Sequence, residues 1–507
     1  MNNHKMSYLF VAFCAAAAFI VGCIPEDSLQ WSQNGSVGLL RTQSALYLVD
    51  GKTGELTEIA EANVAPWPDI SKDGNMVAYC RKVECQNLSE GLKVLPEGQV
   101  KIIEHWAGQM EKEILNNGGL VDGKFPLPEE GLLVPNDYGN WVIRYLCEKA
   151  GQELRERISK DDIEKAKQER LHYTRIIVAP TKAPGEGRVV AASVFNMVAT
   201  RISPDGKFVA YLMHTQQGEV SNAFEEYGLY VASLDGGVNT MLVATRVAIG
   251  YDWRADSKAI AYITADKKDL LHESMILGTL KESIVADEDG NLRAQPVPSG
   301  EQGFSGTHRC TGGEKDLAGI LFYPWMKVQY GQSGRVFFSS ATLSLPSGSM
   351  DDPKWSLFCY DSVTRSVANV LPTIASDLVG QNVNVFALSP DGKSVLLCME
   401  KNRFGIYTFV DGTAEVAIEE EEMFGDRLDL APAWKGNSEI SCLVAENSHF
   451  LVKKGQEKHN RKEIVVLGAD GDIRQVLSRN WPDELLSQSS KDQGAVPVEQ
   501  IIGSTQD

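Results

Sequence analysis

Nine cysteines and eight histidines are the side chains here best suited to ligate metal or attack a substrate, and their spacing does not gather them. His105, His172, His214, His272, His308, His449 and His459 stand far apart, with no His-Glu-x-x-His pair to seat zinc on a helix. No Cys-x-x-Cys offers paired thiolates. Gly303-Phe304-Ser305-Gly306 and Gly331-Gln332-Ser333-Gly334 fall short of the Gly-x-Ser-x-Gly elbow that presents a nucleophilic serine. No glycine-rich phosphate loop occurs. Asp287-Glu288-Asp289-Gly290 opens like a calcium loop but lacks the later ligands. Glu419 to Glu422 reads as a solvated acidic loop, with cation binding as the alternative. The expectation is no catalytic residue, no metal and no cofactor.

The cysteines divide by position. Cys14 and Cys23 belong to the amino-terminal segment, which leaves Cys80, Cys85, Cys147, Cys310, Cys359, Cys398 and Cys442. That number is odd, so no complete disulfide framework is expected. Cys80 and Cys398 occupy equivalent strand positions and read as small buried apolar residues. Cys85 and Cys147 border one insertion and could pair.

The elements that would position any site come from a recurring phrase. Ile202-Ser203-Pro204-Asp205-Gly206-Lys207-Phe208-Val209-Ala210-Tyr211 returns as Leu388-Ser389-Pro390-Asp391-Gly392-Lys393-Ser394-Val395-Leu396-Leu397. A blurred copy is Ile70-Ser71-Lys72-Asp73-Gly74-Asn75-Met76-Val77-Ala78-Tyr79. Two apolar strands flank a tight turn. Pro204 and Pro390 fit the second turn position, Asp205 and Asp391 the third, and Gly206, Gly392 and Gly74 a left-handed residue that rejoins the strands. Asp73 supplies the acid in the third copy.

Aligned on the apolar residue four places before the glycine, Trp31 (before Gly35), Ile70, Ile202, Trp253 (before Ser257), Tyr330 (before Gly334), Leu388 and Trp434 (before Ser438) mark seven units. Third strands follow, as at Ala45 to Asp50, Gly228 to Asp235, Trp355 to Asp361 and Glu463 to Gly468. Weaker fourth strands follow those, as at Thr240 to Ala244 and Ile473 to Leu477. Repeated four-stranded units mean an all-β propeller, with seven blades expected over residues 29–478. Trp31, Trp253, Tyr330 and Trp434 could form an aromatic ligand ring, but their shared place in the first strand points to packing between blades.

The Ser-Pro-Asp-Gly-Lys-x-Val-Ala-Tyr phrase resembles the WD-repeat-like propeller repeat of the TolB type, which also occurs in propellers of prolyl-oligopeptidase-like enzymes. The resemblance covers nearly all of Leu29 to Leu477, and the second, third and sixth units match well. It implies a propeller that acts through protein contacts. The chain departs from that family in lacking a clear counterpart of its separate amino-terminal α/β domain. Fold alone does not set function.

Residues 1–22 read as a secretion signal. Lys5 gives the positive start, and Tyr8 to Val21 is apolar over an ordinary signal length, short for a membrane span. The segment ends in Ile20-Val21-Gly22-Cys23, which resembles the bacterial lipobox. That resemblance implies cleavage before Cys23, acylation of Cys23, and a lipidated linker over 23–28. Two or more acyl chains hold a protein stably on a bilayer. By the same resemblance, Ile24 rather than Asp at the next position implies the outer membrane, facing the periplasm, in a host with two membranes.

Residues 92–171 interrupt the second unit. Val100, Ile103, Trp106, Met110 and Ile114 recur at helical spacing. A second helix is expected from Tyr138 to Ile158, and Ser159 with Asp162 reads as the cap of a third. This subdomain either packs on the rim or offers a docking surface or lid. The net charge of −19 leaves no basic face for nucleic acid. Residues 487–507, rich in Ser, Gln and Asp, read as a disordered tail. The favoured function is a non-catalytic binding or scaffold protein of the cell envelope, with an envelope protein as partner and the membrane reached through the lipid. The alternatives are a lyase or hydrolase acting on a glycan or peptide in the central channel, and a sensor of a small ligand.

Overall fold

The computed structural model describes residues 28–42, 45–61, 63–121, 123–126, 136–149, 151–214, 227–234, 240–272, 275–296, 308–322, 326–342, 354–370, 383–399, 403–409, 414–418, 432–444, 463–468 and 472–481. The signal peptide, Cys23, Glu419 to Glu422, Ser305 and the tail over 487–507 lie outside these residues.

Seven antiparallel sheets follow one another along the chain. Blade 1 holds Ser28–Trp31, Val37–Arg41, Ala45–Asp50 and Leu56–Glu61. Blade 2 holds Asp69–Ile70, Met76–Cys85, Leu171–Pro180 and Arg188–Ser193. Blade 3 holds Met197–Ile202, Phe208–His214, Tyr227–Ser233 and Met241–Ala244, and blade 4 holds Val247–Trp253, Ala259–His272, Met275–Ile284 and Glu314–Phe322. Blade 5 holds Val328–Tyr330, Arg335–Thr342, Lys354–Asp361 and Ser366–Asn369. Blade 6 holds Val383–Leu388, Ser394–Met399, Arg403–Thr408 and Ala414–Ile418, and blade 7 holds Ala433–Lys435, Glu439–Val444, Glu463–Gly468 and Ile473–Val476. The expected seven-bladed propeller is therefore the observed fold. One addition was not expected. The third-to-fourth connection of blade 4 sends His308–Cys310 to pair in parallel with Met241–Ala244, with Ala294–Pro296 outside it, so blade 3 becomes six-stranded.

Within each blade the strands meander in chain order. First and third turns therefore lie on one face of the disc, here the turn face. Second turns and blade-to-blade links lie on the other, the connection face.

Side chains alternate along the second strands, and both sides are buried. Val209 and Tyr211 turn toward blade 2, whereas Phe208, Ala210 and Leu212 turn toward blade 4. This is why these strands read as continuous apolar runs rather than as alternating ones. Each blade boundary has its own apolar cluster, and the boundary of blade 7 with blade 1 joins Ile464, Val466 and Leu477 to Leu29, Leu40 and Val49.

No strand is exchanged across that last boundary among the described residues. Side chains close it instead. Trp31 Nε1 donates to Ser441 Oγ at 2.8 Å, and Lys435 Nζ stands 5.5 Å from the Trp31 ring centre. Gln475 Nε2 donates to the Lys52 carbonyl at 3.0 Å, and the buried Trp481 donates to the Gly54 carbonyl at 2.6 Å.

The helices grow from the second turn of blade 2, on the connection face. They are α1 (Leu88–Val94), α2 (Glu97–Asn116), α3 (Asn136–Lys149), α4 (Gln152–Arg157) and α5 (Lys160–Gln168). Asn87 caps α1 by accepting from Glu90 N at 2.8 Å, and Ser159 caps α5 by accepting from Asp162 N at 3.1 Å. The helix expected over Tyr138 to Ile158 is two helices, because Gly151 is extended and starts α4. Ile103, Met110, Ile114, Trp141 and Leu146 share one core with Ile176, Phe195 and Tyr211, so the helices are continuous with blades 2 and 3. A Cβ on Gly91 would meet the Trp141 ring at 2.2 Å, which makes the absence of a side chain there a packing requirement.

Candidate functional site

The repeated turn owes its shape to the serine as much as to the residues after it. Ser203 Oγ donates to Asp205 Oδ1 at 2.6 Å and accepts from Phe208 N at 2.9 Å, while Asp205 Oδ1 accepts from Lys207 N at 3.1 Å. Ser389, Asp391 and Lys393 repeat the set, as do Ser71, Asp73 and Asn75. Gly206, Gly392 and Gly74 have φ of +70°, +64° and +74°. Pro204 and Pro390 stand between these serines and acids. Ser257 takes the same left-handed conformation with φ of 62°, and its Oγ accepts from Asp205 N at 2.9 Å, tying blade 4 to blade 3. In blade 7 the left-handed residue is Gly436 rather than the expected Ser438, because the inner strand runs one residue past Trp434, to Lys435, and pairs directly with Glu439 across a shorter turn. Gln33 of blade 1 donates past blade 7 to the Pro390 carbonyl of blade 6 at 3.3 Å.

The axial strands carry the polar residues that sequence reasoning passed over. The position just before each aligned apolar residue holds Gln30, Asp69, Arg201, Asp252, Gln329, Ala387 and Ala433 in blades 1 to 7. Where that residue has an acceptor side chain, it usually reaches forward to the next blade's backbone. Asp69 Oδ2 accepts from Ile202 N at 2.8 Å, Asp252 Oδ2 from Tyr330 N at 2.8 Å, and Gln329 Oε1 from Leu388 N at 2.8 Å. Where it has none, a tryptophan of the next blade reaches back. Trp253 Nε1 donates to the Arg201 carbonyl at 3.0 Å and Trp434 Nε1 to the Ala387 carbonyl at 2.8 Å. At the last boundary Trp31 works through Ser441, whose Oγ donates on to the Ala433 carbonyl at 3.4 Å. Blades 1 and 2 are joined at the turns, where Gln33 N donates to the Lys72 carbonyl at 2.8 Å. Trp31, Trp253 and Trp434 are therefore latches between blades, and Tyr330 spends its hydroxyl on Glu282 at 2.7 Å.

Blades 2 to 4 gather the charge. Arg201 Nη1 lies 3.5 Å from Asp69 Oδ1, and Asp252 and Tyr251 also act on the guanidinium. Burial pushes the Asp69 carboxyl up to about 6, against the pull of Arg201 and the Ile202 N–H. Burial raises Asp252 as well, opposed by Arg201 and Lys72. Burial works against the charge on Arg201, but the two carboxylates outweigh it and its pKa rises. A carboxyl that titrates near neutral pH beside a guanidinium could exchange protons with a bound molecule.

Elsewhere no group of His, Cys, Asp and Glu among the described residues is placed to hold a metal ion. His105 packs edge-on to Trp106, and His214 edge-on to Tyr227. Asp287 folds its own turn by accepting from Asp289 N and Asn291 N. Cys85 and Cys147 are buried free thiols. On the helical subdomain Asn140, Lys165, Gln168, Glu169, Arg170 and His172 line an open groove of about 520 Å³. Among the described residues no helix is long and apolar enough to cross a membrane.

No protein-family model matches the chain, and no curated protein matches it. Solved structures do. The β-propeller domain of the Trilobed protease from Pyrococcus furiosus is 11% identical, over 89% of this chain and 95% of that one, with a TM-score of 0.43. The tricorn protease is 12% identical over 78% of this chain, with a TM-score of 0.35, and the match spans 35% of that longer protein. A protein assigned as TolB from Agrobacterium tumefaciens is 14% identical over 58% of this chain and 84% of that one, with a TM-score of 0.32. At such identities the likeness extends to the fold alone. The fold itself rests on the strand pairing described above.

Proposed function

We propose that this propeller is anchored by lipid to the bacterial cell envelope, faces the periplasm from the outer membrane, and works by binding another protein. The observation that carries the reading is where the polar atoms of the axial strands go. The carboxylates of Asp69 and Asp252 and the amide oxygen of Gln329 accept hydrogen bonds that hold neighbouring blades together. The large addition to the bare propeller is the helical platform on the connection face, which shares the core of blades 2 and 3. Ile20-Val21-Gly22-Cys23 supports the anchor.

Two measurements test it. A photoreactive residue at the exposed position 165 of α5 should crosslink one envelope protein in intact cells, while the same residue at position 367 on the outer strand of blade 5 should not. Equal or absent crosslinking from both would count against the platform as the binding face. Mass spectrometry of the mature amino terminus should find an acylated cysteine, and Cys23→Ser should release the protein from the membrane fraction. An unacylated mature protein would end the anchoring proposal.

A second reading, catalysis on a glycan or peptide in the channel, is favoured by one observation: the buried Asp69 carboxyl, which burial pushes up to about 6, lies 3.5 Å from Arg201. Turnover that disappears in Asp69→Asn would move this reading ahead of the first.

A further inference from the structure

The hydrogen-bonding inventory of the charged cluster is lopsided. Both oxygens of Asp69 are engaged, one by Ile202 N and the other by Arg201. Both oxygens of Asp252 are engaged too, by Trp253 N at 3.0 Å and Tyr330 N at 2.8 Å. A guanidinium, in contrast, carries five N–H donors in a planar fork. Among the described residues the side-chain partner of Arg201 is Asp69, at 3.5 Å, and 35% of the Arg201 side chain is exposed. Neighbouring blades cover the flanks of an axial strand, so that exposure opens on the central channel. What the cluster lacks is an acceptor.

The far wall leaves room for one. Blade contacts run in chain order around the ring, so blade 3 faces the boundary of blades 6 and 7 across the axis. There the equivalent positions are Ala387 and Ala433, the smallest side chains of the set. At this position of the repeat, near the turn face, no long side chain stands opposite the guanidinium.

We propose that the turn-face mouth of the central channel binds a carboxylate, with the Arg201 fork as its anchor. A planar monoanion matches the fork in shape. A dianionic phosphate would meet two carboxylates at close range. The groups facing Asp69 are Arg201 and Asp252, with Lys72 and Tyr251 acting on those two in turn. Protonation of Asp69 removes a negative charge beside the anchor, so affinity rises as pH falls through about 6. This site is independent of the binding face proposed on the helices.

Calorimetric titration of the full chain with trialanine, with its carboxy-terminal amide and with acetate tests the site. Trialanine is expected to bind near pH 5 about tenfold more tightly than its amide, and to weaken near pH 7.5. Acetate binding as well as trialanine would mark a site for small carboxylates, whereas trialanine alone would mark a peptide terminus; either supports the carboxylate. Arg201→Gln should abolish binding. Should that variant fail to fold, Asp69→Asn keeps an acceptor for Ile202 N and should bind trialanine at pH 7.5 as tightly as the native chain does near pH 5. Absence of heat from both acids near pH 5, or equal binding of the amide, would overturn the proposal.

Discussion

Replacing Asp69 with Asn probes the charged cluster most directly. The asparagine amide oxygen still accepts from Ile202 N, so the latch between blades 2 and 3 survives while the charge does not. Burial raises the Asp69 carboxyl from an ordinary value of 3.8 to about 6. At about 1.4 kcal/mol per tenfold change in proton affinity, the ionised form costs the folded chain about 3 kcal/mol relative to the unfolded one. The sign follows from the direction of the shift. The folded state holds its proton more tightly than the unfolded state, so this contribution to stability is full below about pH 4 and is lost as pH rises through about 6. The native chain and Asp69→Asn should therefore match in stability near pH 4. The variant should pull ahead by about 3 kcal/mol near pH 7.5. Guanidinium unfolding followed by tryptophan fluorescence, repeated across that range, reads the difference. Parallel pH profiles for the two proteins would refute the buried, costly carboxylate.

Two further outcomes test how the blades are held together. Trp253→Phe should keep the ring stacked on Phe208, 6.0 Å away, while stranding the Arg201 carbonyl, and Gln329→Leu should strand Leu388 N. Each should cost about 1–3 kcal/mol in denaturant unfolding, whereas Gln329→Glu should cost far less because an acceptor remains. Trp481→Ala removes a side chain that is 6% exposed, together with its bond to Gly54 at the boundary of blades 7 and 1. It should cost about 3–5 kcal/mol and speed proteolysis of blade 1 first; uniform cleavage across the blades would show that this boundary is no weaker than the rest.

The fold was legible because its signals are local. Ser203 to Gly206 and Ser389 to Gly392 specify a hairpin within a few residues, and apolar runs such as Phe208 to Leu212 announce strands covered on both flanks. The cluster was not legible, because it exists only between blades. Asp69 and Arg201 share a position of the repeat but are separated by the whole helical insertion, and the repeat alone does not show that their side chains meet. A signal was nonetheless present. Trp31, Trp253 and Trp434 each follow a blade whose preceding position, at Ala433, Arg201 and Ala387, lacks an acceptor side chain. Ile202, Tyr330 and Leu388 each follow a blade that has one. Position alone groups the tryptophans, and pairing each with the previous blade exposes the latch. The turn of blade 7 was misplaced for the opposite reason. Gly436 and Ser438 both suit a turn, and only the length of the inner strand decides between them. The two added strands of blade 3 come from a neighbouring blade, and their parallel pairing leaves no mark in the spacing.

Building most blades from strands taken in chain order has a consequence for biogenesis. As the chain leaves the ribosome, most hairpins have their partners at hand, and pairing need not wait for distant segments. Three steps must wait. The third strand of blade 2 follows only after the helices have been made. The outer edge of blade 3 stays uncovered until 294–310 has been made, and the flank of blade 1 stays bare until the last strands arrive. Completion of the disc thus falls to Leu477 and Trp481, and a chain stopped short of them would present an unprotected apolar flank to chaperones and proteases.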